Sequence, residues 1–598
     1  MPGLVRAMPL SEMGSLVVAA EELTGQMRRR LAPSARPSTE HRHSEDHVTV
    51  SFDGYLADGL GPAGGGDNPA ARVAEVYRRE GPAGVERLEG SFVIQLADAR
   101  ERATHVWTDR AGSRPVFWAK VGDYVLIAPE VKCFAAVPGV DRAIVPGSLA
   151  SMLLNAALMD EHTYWWGVRL LGPASRLTIQ DGAVRVDRYW RRRYCEAGKR
   201  PTTEQVQEAY TDAVARHVSR FRRPVVALSG GYDSRAILAA CRRAGLSVDA
   251  VTWGVDGLTE ADADFQTGRQ VAAALGVHPK TLESHRRGHS SICGAGATRV
   301  LGCTAGNMHT VRLMRLEEFP RNVERVVWLT DGLAGHVGAH PEGDAVAREL
   351  AEKHDALIVG NHLLDGGKFV RSLDEGLHQA GLNFGRGLSL LRCLLRRGRR
   401  EEVVRDYLDQ RRSLLDSLGK LDDPNEVKDV LYWRTRCPRL IGSQAAVYRQ
   451  HLEYVSPLLD ARVSELDVSC TAWERADKHL ISERLHEAFP EAYTVPVAVR
   501  HSRADWRRRL DELGPTQRYI VQTLLEPLRA FDEWFDPNAV RAWLGMAVAE
   551  AQRADWPASV GPLGRLAWQL RTGFYKHTVK ARRVINLLTL KLWFSQFG

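Results

Sequence analysis

Several things the chain lacks narrow the field before any motif is read. The 598 residues hold no uninterrupted apolar run of the roughly eighteen needed to span a bilayer. The start, Met1-Pro2-Gly3-Leu4-Val5-Arg6-Ala7-Met8, lacks the basic-then-apolar layout of a secretion signal. A cytoplasmic address without a transmembrane segment is therefore expected. Cys133, Cys195, Cys241, Cys293, Cys303, Cys393, Cys437 and Cys470 are scattered with no Cys-x-x-Cys pair, which argues against a zinc site and a disulfide framework. Reduced, mostly buried thiols follow. There is no internal repeat, and no nucleic-acid-binding module accompanies the net charge of +8, so no nucleic-acid partner is expected.

What the chain does have is length enough for roughly two to four domains at about 150 residues each. Its basic charge is uneven. Arg396, Arg397, Arg399 and Arg400 read as a solvated helix face. The end of the chain sets Lys580, Arg582 and Arg583 among Ile585, Leu587, Leu588, Leu590, Leu592, Trp593 and Phe594. Such a stretch lies on an anionic membrane surface or docks on other helices, and docking is the preferred reading.

Patterning divides the chain. Residues 47–56, 91–96 and 103–107 alternate apolar and polar with period two, and Gly122-Asp123 and Asp181-Gly182 separate strand-like runs as hairpin turns. An antiparallel β-rich domain over 1–195 is expected, followed by a polar linker. From about Pro224 strands alternate with helices: Val225–Leu228, then Ser247–Gly254, then Arg325–Thr330. This predicts a parallel α/β domain over 205–500 whose ligands sit at the carboxyl ends of its strands, where Ser229, Trp253 and Asp331 fall. Beyond 345 the period is mostly helical with no strand series, and 501–598 reads as a helical, basic C-terminal extension.

Ser229-Gly230-Gly231-Tyr232-Asp233-Ser234 follows the first of these strands directly and opens a helix. Two glycines let the backbone approach a ligand without a Cβ, so successive N–H groups can face phosphate oxygens, and both serine hydroxyls add donors. The helix that follows brings its positive end to the same point. Asp233 would repel a bare phosphate, so Mg²⁺ is expected between them. No lysine follows the glycines, which separates this loop from the one that holds β and γ phosphates.

The hexapeptide resembles the Ser-Gly-Gly-x-Asp-Ser signature of ATP pyrophosphatases, with its closest likeness to the asparagine synthetase family, whose members cleave ATP to AMP and pyrophosphate. Further landmarks resemble that family in order: Phe52-Asp53-Gly54, Leu88-Glu89-Gly90-Ser91-Phe92, Asp109 to Pro115, Ala128 to Lys132, Val455 to Val463, and Lys478-His479-Leu480-Ile481 before Phe489-Pro490. The resemblance implies an α/β multidomain chain. Its N-terminal part would be a two-sheet antiparallel β-sandwich of the N-terminal-nucleophile amidotransferase type. The rest would be an ATP-pyrophosphatase domain with a largely helical C-terminal part.

Departures from the family pattern modify the expected chemistry. Pro2 stands where the nucleophilic cysteine would be, and Asp53 replaces the asparagine of the oxyanion site with a charge that would oppose an oxyanion. A degenerate domain without glutaminase activity is expected. The acidic loop survives as Thr330-Asp331-Gly332, and Arg500 and Arg503 stand where a lysine would neutralise charge during acyl transfer.

The resemblance thus implies an AMP-forming amide ligase using ATP and Mg²⁺. Ser229, Gly230, Gly231, Tyr232 and Ser234 would hold pyrophosphate, while Asp233 and Asp331 would hold the metal. Trp253 and Gly254 would flank the nucleoside, Thr330 and Gly332 would line the site, and Arg500 and Arg503 would act in transfer. The substrates would be a carboxylate with ammonia or an internal amine, as in the related β-lactam synthetases and lasso-peptide cyclases. A nucleotide-binding scaffold without turnover is the alternative from another class. A homodimer or a pathway partner is left open.

Overall fold

Alternating residues near the start of the chain form two antiparallel sheets in the computed structural model. The structure describes residues 5–9, 14–30, 40–58, 68–192, 194, 200–255, 263–276, 298–303, 308–312, 319–333, 343–361, 368–379, 387–419, 421, 423–476, 479–497, 514–552 and 581–598. One sheet orders the strands Arg6–Pro9, Tyr124–Ala128, Phe117–Val121 and Arg169–Leu170. The other orders Ala183–Arg188, Ser175–Gln180, Ala103–Thr108, Gly90–Asp98, Val48–Leu56 and Glu40–Glu45. Both expected hairpins are present, with Val121 opposite Tyr124 and Gln180 opposite Ala183. Asp181 and Gly182 both have positive φ, 50° and 75°, as a two-residue turn that follows strand twist requires.

The sheets meet through Val125 and Ile127 of one and Val93, Val106, Leu177 and Ile179 of the other, giving the expected sandwich. Helices cover both outer faces. Pro69–Val85 packs Val73, Ala74 and Tyr77 on Val50, Phe52, Ile94 and Trp107, and Pro146–Asn155 packs Leu149, Met152 and Leu153 over Phe117, Leu126 and Ala128.

The helix Thr203–Val218 leads out of the sandwich. It starts on a capping box in which Thr202 and Gln205 exchange hydrogen bonds, a device that contributes about 1 kcal/mol to a helix start. A third sheet follows in the order Met308–Arg312, Thr298–Cys303, Asp249–Val255, Pro224–Ala227, Ala356–Ile358, Glu453–Val455. Its last four strands are parallel and the first two antiparallel.

Two expectations about this half are corrected. Residues 325–330 are not a strand, because Phe319–Leu329 is a helix burying Val323, Val326 and Val327. That i, i+3, i+4 spacing fits a helical face, and the short run Val326-Val327-Trp328-Leu329 cannot be told from a strand by itself. The sheet also takes two strands from beyond residue 345. Ala356–Ile358 and Glu453–Val455 are three residues each, too short for any alternation to show.

The C-terminal helix Ala581–Phe597 lies in the same core as the outer face of the sandwich, with Leu587, Leu588, Leu590 and Trp593 buried. Asn586 donates its amide to the carbonyl of Leu153 at 3.1 Å. It is docked, as the preferred reading of the basic tail had it. No helix among the described residues is long and apolar enough to cross a membrane.

Candidate functional site

The strand Pro224–Ala227 sits between two parallel neighbours, so the chain leaving it at Leu228 emerges at the carboxyl edge of the sheet. Ser229 to Ser234 then turns back into the helix Tyr232–Arg243. The turn is closed by its own hydroxyls: the Ser229 amide donates to Ser234 Oγ at 3.0 Å, the two hydroxyls lie 3.0 Å apart, and the Gly231 amide donates to Ser229 Oγ at 3.3 Å. Gly231 is the helix N-cap with φ −77° and ψ −177°, and no side chain caps the helix. That extended conformation is open to any residue, so the glycine leaves room rather than supplying a left-handed turn. The first-turn amides are thus available to an anion.

Neighbouring strands complete the rim. Gly360, two residues past Ala356–Ile358, lies so close to the loop that a Cβ there would stand 2.8 Å from Asp233 Cβ and 3.1 Å from the Ser234 nitrogen. Asn361 donates its amide to Tyr454 Oη at 2.9 Å and Ser456 Oγ at 3.1 Å, fixing the exits of two strands together. Sequence reasoning missed Gly360 and Asn361 because the strand that delivers them is so short. Trp253 and Gly254 occupy the carboxyl end of Asp249–Val255, opposite Val300 and Arg299. Gly268, on the helix Ala263–Ala274, allows that helix to close on these strands, since a Cβ would meet Thr252 Oγ1 at 2.8 Å.

Asp331 is elsewhere, and its placement as a metal partner of Asp233 is corrected. Because residues 319–329 are helical, Thr330-Asp331-Gly332 is a turn at a helix end rather than at a strand edge. The Asp331 carboxylate accepts from the Val131 amide at 2.6 Å, the Lys132 amide at 3.2 Å and Lys132 Nζ at 3.3 Å, all in the sandwich half of the chain. Burial lifts its pKa to about 6 against the pull of Lys132. Thr330 Oγ1 donates to the Val326 carbonyl at 2.8 Å, and the Gly332 carbonyl accepts from Tyr164 Oη at 2.9 Å. Among the described residues no group of three or more His, Cys, Asp or Glu side chains is arranged to hold a metal ion. Arg500 and Arg503 lie outside the described residues.

Between the halves, polar side chains gather in two buried clusters. Asp53 pairs with Arg114 Nη1 at 2.8 Å, Arg114 Nη2 lies 2.7 Å from Glu453, and Arg449 Nε donates to Glu453 at 2.8 Å. Gly54, with φ 125°, makes the approach possible, since a Cβ there would fall 2.8 Å from Arg114 Nε. In the second cluster Tyr55 Oη is 2.9 Å from His217 Nδ1, and His217 Nε2 is 3.1 Å from Asp460. Burial raises the Asp460 pKa, yet His217 and Arg216 outweigh it and hold the value at about 2. Tyr55, His217, Asp460 and Arg449 line a pocket with Glu89, Ser91 and Arg110 that has room for about one water molecule.

Parts of the chain are similar to known proteins. A family model described as a glutamine amidotransferase domain matches residues 69–190, and one described as asparagine synthase matches residues 205–289, which include the Ser229–Ser234 loop. The two matched stretches make the chain similar to the asparagine synthetase family over part of its length. Identity to the curated relatives is low. Asparagine synthetase [glutamine-hydrolyzing] 3 of Bacillus subtilis (strain 168) is 27% identical over 161 residues, covering 26% of this chain and 26% of that protein. A putative asparagine synthetase [glutamine-hydrolyzing] of Mycobacterium tuberculosis (strain ATCC 25618 / H37Rv) is 26% identical over 219 residues, 35% of this chain and 34% of its own. The chain thus spans about a quarter to a third of the length of these curated relatives. A solved glutamine phosphoribosylpyrophosphate amidotransferase from B. subtilis complexed with ADP and GMP is 12% identical, over 36% of this chain and 47% of that one, with a TM-score of 0.18. That score is too low to carry an argument.

Proposed function

We propose that this chain is an ATP-dependent, amide-bond-forming ligase that works through an acyl-adenylate. The observation that carries the reading is the Ser229–Ser234 loop, an uncapped helix start flanked by two hydroxyls at the carboxyl edge of parallel strands. A carboxylate oxygen attacks the α-phosphorus of ATP, and the bond to the bridging oxygen breaks to release pyrophosphate. An amine then attacks the acyl carbon, AMP leaves with the former carboxylate oxygen, and the amine gives up a proton. Loop amides with Ser229 and Ser234 would bind the pyrophosphate and stabilise the charge that grows on it as it leaves.

A Mg²⁺ ion suits the loop through Asp233 alone, because this ion is commonly held by one or two carboxylates together with substrate phosphates. When bound it would offset phosphate charge. Trp253 and Gly254 are proposed beside the nucleoside, and Arg500 and Arg503 as cations for the transfer step.

The sandwich half is proposed to be inactive as a glutaminase, so the amine is ammonia or an amine on the substrate itself. Support comes from Asp53, whose buried carboxylate is engaged by Arg114 rather than presented as a neutral donor. The test is ATP–pyrophosphate exchange with a panel of carboxylates, followed by transfer of ¹⁸O from labelled carboxylate to AMP. ADP as the main product, or label recovered in pyrophosphate, overturns the reading. Ammonia release from glutamine by the purified chain overturns the inactive-glutaminase part alone.

A further inference from the structure

The residue after the loop, Arg235, lies in the first turns of the helix Tyr232–Arg243, where a charged side chain is ordinarily exposed. It is instead fully buried. Side chains on a helix lean toward its N-terminus, and this one reaches back under its own first turn. Its Nη2 donates to the Gly230 carbonyl at 2.8 Å and its Nε to the Gly231 carbonyl at 2.9 Å. Its Nη1 donates to the carbonyls of Ala492 and Val495 at 3.2 and 2.6 Å. The guanidinium lies 5.3 Å from the centre of the Tyr493 ring, and Tyr493 Oη donates to the Tyr232 carbonyl at 3.0 Å.

Three successive carbonyls, those of residues 230, 231 and 232, are therefore held by one arginine and one tyrosine. In a trans peptide the N–H points opposite to the C=O of the same unit. Holding these carbonyls on one side turns the amides of Gly231, Tyr232 and Asp233 to the other. The Gly231 amide agrees, since it meets Ser229 Oγ, a hydroxyl of the proposed anion site.

We propose that Arg235 and Tyr493 are positioning residues. They fix the peptide planes of the Ser229–Ser234 loop with their amides toward the nucleotide and lock the loop to the Ala492–Val495 segment. The inference rests on the nucleotide reading of the loop. Arg235 is too deeply buried to touch a ligand itself, so its effect passes through the backbone. A lysine could not replace it, because a single ammonium cannot span four carbonyls fanned around a planar fork.

The experiment uses the full chain and measures ATP Kd by quenching of intrinsic tryptophan fluorescence, alongside KM and kcat for ATP–pyrophosphate exchange. Tyr493→Phe removes one hydroxyl from a half-buried ring and should fold. It is expected to weaken ATP binding and raise KM for ATP by roughly fivefold, the effect of about one hydrogen bond, with KM for the carboxylate unchanged. Arg235→Lys should weaken ATP by at least about tenfold. A lower melting temperature with unchanged ATP Kd in both variants would mean a purely structural role and overturns the proposal. If the wild-type chain binds ATP without exchange, the ligase reading falls while the Kd still decides the positioning role. If it binds no ATP, both fall.

Discussion

Replacing Arg114 by methionine tests what joins the two halves of the molecule. Arg114 is 2% exposed and stands between carboxylates that are each 1% exposed, Asp53 of the sandwich and Glu453 at the start of a strand in the other half. Methionine approximates the volume of the stem, so the change removes mainly the charge. Breaking a buried ion pair from one side typically costs 3 to 5 kcal/mol, roughly, because the remaining charge stays in a medium that solvates it poorly. Glu453 keeps Arg449 at 2.8 Å, which argues for the lower end, about 3 kcal/mol. The loss is expected as a lower urea midpoint, followed by tryptophan fluorescence and far-UV circular dichroism. Asp53→Asn in the Arg114→Met background should recover part of it, since the amide carries no charge to desolvate. A single variant within about 1 kcal/mol of wild type, or a double variant no better than the single, would refute the view that this cluster is what couples the halves.

Asp233→Asn should abolish ATP–pyrophosphate exchange with the melting temperature little changed, because the residue sits on a loop at the sheet edge; wild-type turnover would remove it from the proposed metal site. Glu89 gives a pH signature. Burial raises its pKa to about 7 despite Arg110 at 2.6 Å, so between about 4.5 and 7 the folded chain holds a proton that the unfolded chain releases. That contribution to stability should be complete below this window and lost as pH rises through it, and Glu89→Gln should flatten the slope in urea midpoints measured across that range. Deleting residues 1–195 should leave the remainder insoluble, since the face covered by Phe117, Leu126 and the helix Pro146–Asn155 shares one core with the C-terminal helix; a soluble, monomeric fragment on size-exclusion chromatography would contradict this.

The Ser229–Ser234 loop was legible as a strand-to-helix turn because all its parts are adjacent in the chain: a strand, two glycines, an acid, two hydroxyls and a helix. The sandwich was legible for a similar reason, since alternation and two-residue turns are short-range signals. What escaped is long-range or very short. The residues that claim Asp331 lie about two hundred positions earlier, so no spacing could reveal that its carboxylate serves Val131 and Lys132. The strands at 356–358 and 453–455 leave no period to count. Asp53 could be recognised as a charge in an unexpected place, yet its partner Arg114 lies 61 residues away and Glu453 far beyond. Arg235 was visible as the first helical residue after the loop, but nothing in its neighbours announces the carbonyls of Ala492 and Val495.

These contacts give the sandwich half a structural role of its own. Three distant segments converge on the Thr330–Leu333 turn. The 131–132 backbone and Lys132 hold Asp331, Tyr164 holds Gly332, and Trp593 of the C-terminal helix packs 4.3 Å from Tyr164, ring centre to ring centre. Asp331 and Gly332 both take left-handed conformations, φ 50° and 58°, and a Cβ on Gly332 would meet Trp593 Cδ1 at 3.2 Å. A non-glycine residue persists at such φ only where its surroundings over-determine it. Here the surroundings come from the sandwich and the C-terminal helix together. Lys591 on that helix is buried beside Asp532 at 3.6 Å and the Phe531 ring at 4.4 Å, and burial lowers its pKa, so this lysine is absorbed into packing rather than displayed. Loss of the sandwich would thus unfasten this turn and strip the C-terminal helix of one wall, which gives a structural reason for keeping the domain even if glutamine is never hydrolysed there.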